Sequence, residues 1–156
     1  MDRRQLLKIL FSLPWASLFR SLGHAVEFTI DISSLDKPWS SLEFRFPAKG
    51  TNEETVHVPG IAIRLPAEDK EQGSLFVASR ICPHQACELL YFTDPNQVQE
   101  IFRIKIKNPV LACPCHLSVF DLSQDGKVLN GPAPRPPFRF RFSTAGKRLM
   151  VLDLEK

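Results

Sequence analysis

Six side chains that can bind metal lie in two short segments of this chain. The first covers residues 82–87 and reads CPHQAC, and the second covers residues 113–116 and reads CPCH. Together they contain all four cysteines of the sequence, and each segment also holds a histidine. Clustered cysteines favour a metal site, whereas scattered cysteines favour disulfides. Two thiolates with two imidazoles suit a tetrahedral zinc ion or a pair of iron atoms, and two plain disulfides are the remaining alternative.

The spacing Cys-x-His-x-x-Cys, followed by Cys-x-Cys-His, resembles the cluster-binding motif of Rieske iron–sulfur proteins. The resemblance implies one [2Fe–2S] cluster, with two thiolates on one iron and two imidazoles on the other. The ligands that it implies are Cys82, His84, Cys113 and His116. Neutral imidazole carries less negative charge than thiolate, so such a cluster is reduced more easily than an all-cysteine cluster. The implied function is the transfer of single electrons.

Further parts of the chain extend this resemblance. It implies a disulfide between Cys87 and Cys115, and residues 131–136 (GPAPRP) resemble the proline loop that covers the cluster. Ser118 matches the family serine whose hydroxyl bonds a bridging sulfide. Phe120 stands where high-potential members carry a tyrosine that bonds a ligand sulfur. Because such a bond stabilises the reduced cluster, we expect its loss to give an intermediate potential.

The chain also departs from the pattern of quinol-oxidising members. Gln85 replaces a leucine that shields the cluster, and Leu117 replaces a glycine after the second histidine. The segment between the two ligand clusters is longer than in compact members. Residues 100–107 alternate apolar and charged side chains. This alternation predicts a strand, and we therefore interpret the segment as an extended hairpin.

The family resemblance implies partners as well as a cofactor. His84 and His116 are expected to present free ring nitrogens, where an electron and a proton enter together. The first hypothesis is the iron–sulfur subunit of a cytochrome bc-type quinol:cytochrome c oxidoreductase, with quinol, a cytochrome b and a c-type cytochrome as partners. The alternatives are the small subunit of an arsenite-oxidase-like enzyme, with a molybdopterin catalytic subunit, or a free periplasmic carrier. Leu117 and residues 118–121 (SVFD) are similar to that small subunit.

The N-terminal residues 1–25 resemble a twin-arginine export signal. Arg3 and Arg4 precede Lys8 and an apolar run over residues 9–19. This run is shorter than the roughly 20 residues of a membrane-spanning helix. We expect a cleaved signal, with a retained short helix as the alternative. The prediction places the protein on the periplasmic side of a bacterial inner membrane, soluble or peripherally bound.

The distribution of charge argues against a nucleic-acid partner. The formal net charge is +3, and residues 1–25 contribute all of it through four basic side chains and one acidic side chain. The remainder is therefore close to neutral, without the basic stripe that nucleic-acid binding needs.

Short alternating segments predict the fold class. Strands are predicted over residues 26–32, 42–46, 55–58, 61–65, 74–80, 100–107, 110–112, 138–142 and 149–154. Thirteen prolines add many rigid turns between them. This pattern is typical of an all-β antiparallel sandwich or barrel. We predict one Rieske domain over residues 26–156, with an inserted cluster-binding subdomain at about 79–137.

Overall fold

The computed structural model describes residues 28–66 and 74–155, so the predicted signal at 1–25 lies outside the described residues. The elements in chain order are β1 (Phe28–Asp31), β2 (Ser41–Lys49), β3 (Thr55–Arg64), β4 (Leu75–Ser79), β5 (Leu90–Phe92), α1 (Pro95–Phe102), β6 (Val110–Cys113), β7 (Ser118–Asp121), a 3-10 turn (Leu122–Gln124), β8 (Lys127–Asn130), β9 (Phe140–Ala145) and β10 (Arg148–Leu154). All described strand pairs are antiparallel. The predicted all-β antiparallel class is therefore confirmed.

Two three-stranded sheets form what we call the base domain. Their strand orders are β1-β10-β9 and β2-β3-β4. A bridge between Ala78 and Arg139 links β4 to the start of β9, and the Ser79 amide donates to the Phe138 carbonyl at 2.8 Å. The two sheets enclose an aromatic core in which Phe44 and Phe140 pack with aliphatic side chains. This arrangement matches the predicted sandwich.

A four-stranded sheet with order β5-β6-β7-β8 forms what we call the cluster-binding subdomain. Its central strand β6 is buried on both faces. Val110 and Ala112 point towards α1, while Leu111 and Cys113 point towards the base domain. Successive side chains of a strand face opposite sides, so β6 supports two separate apolar layers and carries a cysteine into the inner one.

Strand β3 joins the two parts of the molecule by the same alternation. Ile61 and Ile63 pack against the cluster-binding subdomain, whereas Ala62 packs inside the base domain. The subdomain is thus fixed to a buried strand rather than to a surface loop.

The prediction of two strands around Pro59-Gly60 was wrong, because β3 runs unbroken through both residues. The physical reason is close packing. A Cβ atom at Gly60 would lie 2.5 Å from the ring of Phe44 on the neighbouring strand. Glycine is required there by the approach of that ring rather than by a turn.

The predicted strand over residues 100–107, and the extended hairpin built on it, were also wrong. Residues Pro95–Phe102 form α1, and the side chain of Asp94 caps it by accepting from the Asn96 amide at 2.8 Å. A capping aspartate followed by proline is a helix-start signal. The apolar alternation arises because Ile104 and Ile106 pack on the sheet from an irregular segment. No helix in the described ranges is long and apolar enough to cross a membrane.

Candidate cluster-binding site

The first ligand loop, residues 80–89, follows β4, and its two ends lie side by side. Its two arms are joined where the Leu89 amide donates to the Arg80 carbonyl at 2.7 Å. Further in, the Cys82 amide donates to the Cys87 carbonyl at 2.8 Å. Ala86 takes a left-handed backbone conformation with φ 55°, which lets the chain reverse before Cys87. The loop is therefore a compact, internally bonded turn.

The second ligand loop, residues 114–117, connects β6 to β7. Cys113 and Ser118 are paired across these strands, so the loop is a hairpin turn. Leu117 closes the turn with a φ of 61°, a conformation that strains side chains other than glycine. This explains in physical terms why a glycine suits the position.

The proline loop at residues 131–136 packs on the second ligand loop. Gly131 has a φ of +85°, and a Cβ atom there would lie 2.4 Å from the Cα atom of Ser118. The Ala133 amide donates to the Ser118 hydroxyl at 3.2 Å, and the Asn130 side chain donates to the Leu117 carbonyl at 3.2 Å. The stretch that resembles the family's proline loop is therefore in hydrogen-bonded contact with the second ligand loop and Ser118.

A disulfide between Cys87 and Cys115 joins the two ligand loops. The pairing implied by the family resemblance is confirmed. The sulfur of Cys113 lies within 4.8 Å of both bonded sulfurs. Since Cys87 and Cys115 are bonded to each other, these three sulfurs do not form a separate metal site.

Cys82 and Cys113 are both buried and have no disulfide partner. Burial raises the pKa of the Cys82 thiol, and the nearby Cys113 adds to this increase. Backbone hydrogen bonds from His84 and Gln85 lower the pKa of Cys82. Such amide donors stabilise negative charge on sulfur. Two buried thiols side by side, one supported by amide donors, suit the binding of a cation.

The two histidines of the motif lie together at the end of the subdomain. The ring centroids of His84 and His116 are 4.8 Å apart, with an angle of 85° between the rings. Within the described residues, the Nδ1 atom of His84 is buried and has no hydrogen-bond partner. A buried polar atom normally has a partner, so this atom is free for a metal bond. The residues present therefore fit an iron–sulfur cluster.

A comparison with protein families decides the identity of the domain. The family model described as "Rieske [2Fe-2S] domain" matches residues 45–150. The chain belongs to this family. The Rieske domain binds a [2Fe–2S] cluster, so the cofactor predicted from the sequence is confirmed. The matched range contains both ligand loops and the proline loop.

A curated relative of the Rieske chain is the "Cytochrome b6-f complex iron-sulfur subunit" of Chlorobaculum tepidum. The two sequences are 29% identical over 79 residues. The match covers 51% of this chain and 35% of the relative, so the chain spans about a third of the length of that protein.

Two further residues predicted for the site lie close to the buried cysteines. Ser118 is fully buried, and because its oxygen accepts from Ala133, its hydroxyl hydrogen remains available as a donor. Phe120 is fully buried in the same apolar cluster as Cys82 and Cys113. Sequence reasoning missed Arg80, a buried residue just before the first cysteine. Its only mark in the sequence is its place two positions before Cys82.

Proposed function

We propose that Cys82 and Cys113 bind one iron of the cluster and that His84 and His116 bind the other. The support is the chemistry of the donor set: two buried thiols outside any disulfide, and two adjacent imidazole rings. The free, buried Nδ1 atom of His84 supplies a third, independent observation. Ser118 would donate its hydroxyl hydrogen to a sulfur of the cluster, while Phe120 can contribute only apolar packing.

We further propose that the protein is an electron-transfer subunit of a quinol:cytochrome c oxidoreductase of the cytochrome bc type. The observation that carries this proposal is the asymmetry of the site, in which His116 is exposed and both free cysteines are buried. When bound, the cluster supplies a one-electron redox change. The exposed ring of His116, with His84 beside it, would bind the hydroxyl group of a quinol and take its proton. The electron would leave to a cytochrome.

The similarity to an iron–sulfur subunit of a cytochrome b6-f complex supports cytochromes as partners, and we propose a cytochrome b and a c-type cytochrome. A second candidate is the small subunit of an arsenite-oxidase-like molybdenum enzyme, with a molybdopterin subunit as its partner. Leu117, exposed beside His116, and Phe120, which has no hydroxyl, favour this candidate.

We also propose export by the twin-arginine route to the periplasmic side of a bacterial inner membrane. The paired arginines at 3 and 4 support it, and so does the need to move a protein that has already received its cluster. A free periplasmic carrier would use the same route.

Electron paramagnetic resonance of the reduced protein tests the ligand set. We expect a [2Fe–2S] signal from the wild-type protein and its loss in Cys82→Ser and His116→Ala. The matched control is His57→Ala, which removes an exposed histidine of β3. A wild-type protein that contains iron but gives no such signal would contradict the ligand assignment.

Purification of the protein from native membranes with its bound partners tests the complex. We expect a cytochrome b subunit, and quinol-dependent reduction of a c-type cytochrome that stops in His116→Ala. If reduction of the cluster takes up a proton, the midpoint potential falls by up to about 59 mV per pH unit in the alkaline range. Recovery of a molybdopterin subunit instead of a cytochrome b would favour the second candidate. A midpoint potential that does not change with pH would refute proton coupling.

A further inference from the structure

Arg80 lies at the base of the first ligand loop, directly after β4. Its backbone amide donates to the Pro59 carbonyl at 2.8 Å, and its carbonyl accepts from the Leu89 amide at 2.7 Å. Only 8% of Arg80 is exposed, and it is the only charged residue among those buried in the described part of the chain. Arginine is almost never buried to this degree unless its charge is paired.

The guanidinium group of Arg80 contacts both the returning arm of the loop and the base domain. Its Nε atom donates to the Leu89 carbonyl at 2.9 Å in a buried hydrogen bond. One terminal nitrogen lies 3.5 Å from the carboxylate of Glu88, and the other is bonded to the carboxylate of Glu43 on β2. Both glutamate side chains are largely exposed. The buried end of this network is therefore the arginine.

The backbone pairs the two arms at the base of the loop through a bridge between Ile81 and Glu88, which includes the bond from the Leu89 amide to the Arg80 carbonyl. The Arg80 side chain adds its own bonds to the Leu89 carbonyl and to the carboxylate of Glu43. Cys82 follows Arg80 by two residues, and His84 by four. A change in the spacing between the arms would therefore act on the segment that carries these two side chains.

We infer that Arg80 is a positioning residue that fixes the arms of the first ligand loop and thereby orients Cys82 and His84 towards the cluster. The inference rests on the proposed ligand roles of these two residues. Lysine cannot replace the arginine, because its ammonium is a point charge without the planar fork that bonds a carbonyl and two carboxylates at once. Residues that orient ligands typically change metal affinity about 10–100-fold when they are substituted.

The test substitutes Arg80→Lys and uses Arg139→Lys as a matched control. Arg139 also donates to a backbone carbonyl, that of Val77 at 3.2 Å, and also pairs with a carboxylate, that of Asp125. It packs over the ring of Phe76, outside the first ligand loop. The two arginines therefore have similar bonding but different positions relative to the ligands.

For R80K we expect iron loss to a chelator about tenfold faster than in the wild type and shifted g values of the reduced cluster. R139K is expected to unfold at lower urea concentration with wild-type g values. If R80K does not fold, Glu43→Gln serves instead, since it loosens one contact of the guanidinium and leaves Arg80 in place. We expect it to shift the g values less than R80K.

Different results would refute the positioning role of Arg80 and the ligand assignment. Wild-type g values and wild-type iron retention in the Arg80 variant, or in E43Q if R80K cannot be prepared, would overturn the positioning role alone. Equal changes in R80K and R139K would also overturn it, because they would indicate a general loss of stability. A wild-type protein without a [2Fe–2S] signal would refute the ligand assignment and this inference with it.

Discussion

The base domain and the cluster-binding subdomain of this molecule are held together in different ways. The base domain has strands of up to 10 residues around a group of phenylalanine rings whose centroids lie 5.2–5.9 Å apart. The subdomain has strands of 3 or 4 residues, two ligand loops, a disulfide and a proline loop. Apolar layers stabilise both parts, and in the subdomain a disulfide also cross-links the two ligand loops. The site is therefore the part that should fail first when a cross-link is removed.

The largest effect is expected from Phe140→Ala in the base domain. Phe140 is 3% exposed, and its ring lies 5.3 Å from that of Phe44 and 5.2 Å from that of Phe46. Removing a buried phenylalanine costs about 3–5 kcal/mol, measurable by urea unfolding followed by far-ultraviolet circular dichroism. Phe142→Ala, at a partly buried position of the same strand, should cost less. Equal losses in the two variants would show that Phe140 is not a central part of the core.

Removing the disulfide tests the stability of the cluster-binding subdomain relative to that of the base domain. The Cys87→Ala/Cys115→Ala double variant opens a link across 28 residues, worth about 3.5 kcal/mol by the chain-entropy relation. On heating, we expect cluster absorbance to disappear well before the circular dichroism signal of the base strands. In the wild-type protein with its disulfide intact, the two signals should disappear at more similar temperatures. If the two transitions of the double variant coincide, the subdomain and the base domain are a single cooperative unit.

Phe120→Tyr is expected to alter the potential rather than the fold. The ring is fully buried in the same apolar cluster as Cys82 and Cys113, and in high-potential members of the family a tyrosine at this position bonds a ligand sulfur. We therefore expect the new hydroxyl group to donate to a ligand sulfur. A bond of about 1.5 kcal/mol to the reduced state raises a one-electron midpoint by about 60 mV, measured by protein-film voltammetry. Phe92→Tyr adds a hydroxyl group on the opposite face of the sheet and should leave the midpoint unchanged. Without an upward shift in F120Y, this explanation of the potential is wrong.

The smallest effect is expected at the exposed end of the second ligand loop. Leu117 is 40% exposed and has a φ of 61°, so Leu117→Gly removes backbone strain at little loss of burial. After the entropy that glycine adds to the unfolded chain, we expect a gain of about 0.5–1 kcal/mol in urea unfolding. Leu90→Gly is the control, because Leu90 is equally exposed but lies in an extended strand. A loss of stability in L117G as large as that in L90G would show that the backbone at Leu117 is not strained.

Most of the base domain could be predicted because its strands show local alternation. Phe44 and Phe46, for example, alternate with exposed residues in β2, and both face the core. The helix α1 was missed although Asp94 and Pro95 mark its start, because the apolar residues after it imitate a strand. Strands β5, β7 and β8 were not predicted either. Each has only 3 or 4 residues, and pairing within the sheet defines them, since β5 and β7 pair with β6 and β8 pairs with β7.

The sequence by itself determined the chemistry of the site. Six cysteine and histidine side chains at fixed spacings are a local property of the chain, and their resemblance to the Rieske motif implied a [2Fe–2S] cluster and the Cys87–Cys115 disulfide. Only the tertiary structure decided how the ligand loops are held. The contacts of Arg80 with Glu43, and of Gly131 with Ser118, join residues far apart in sequence. Such contacts form only when strands that are distant in the chain meet in one folded sheet, and no local spacing records them.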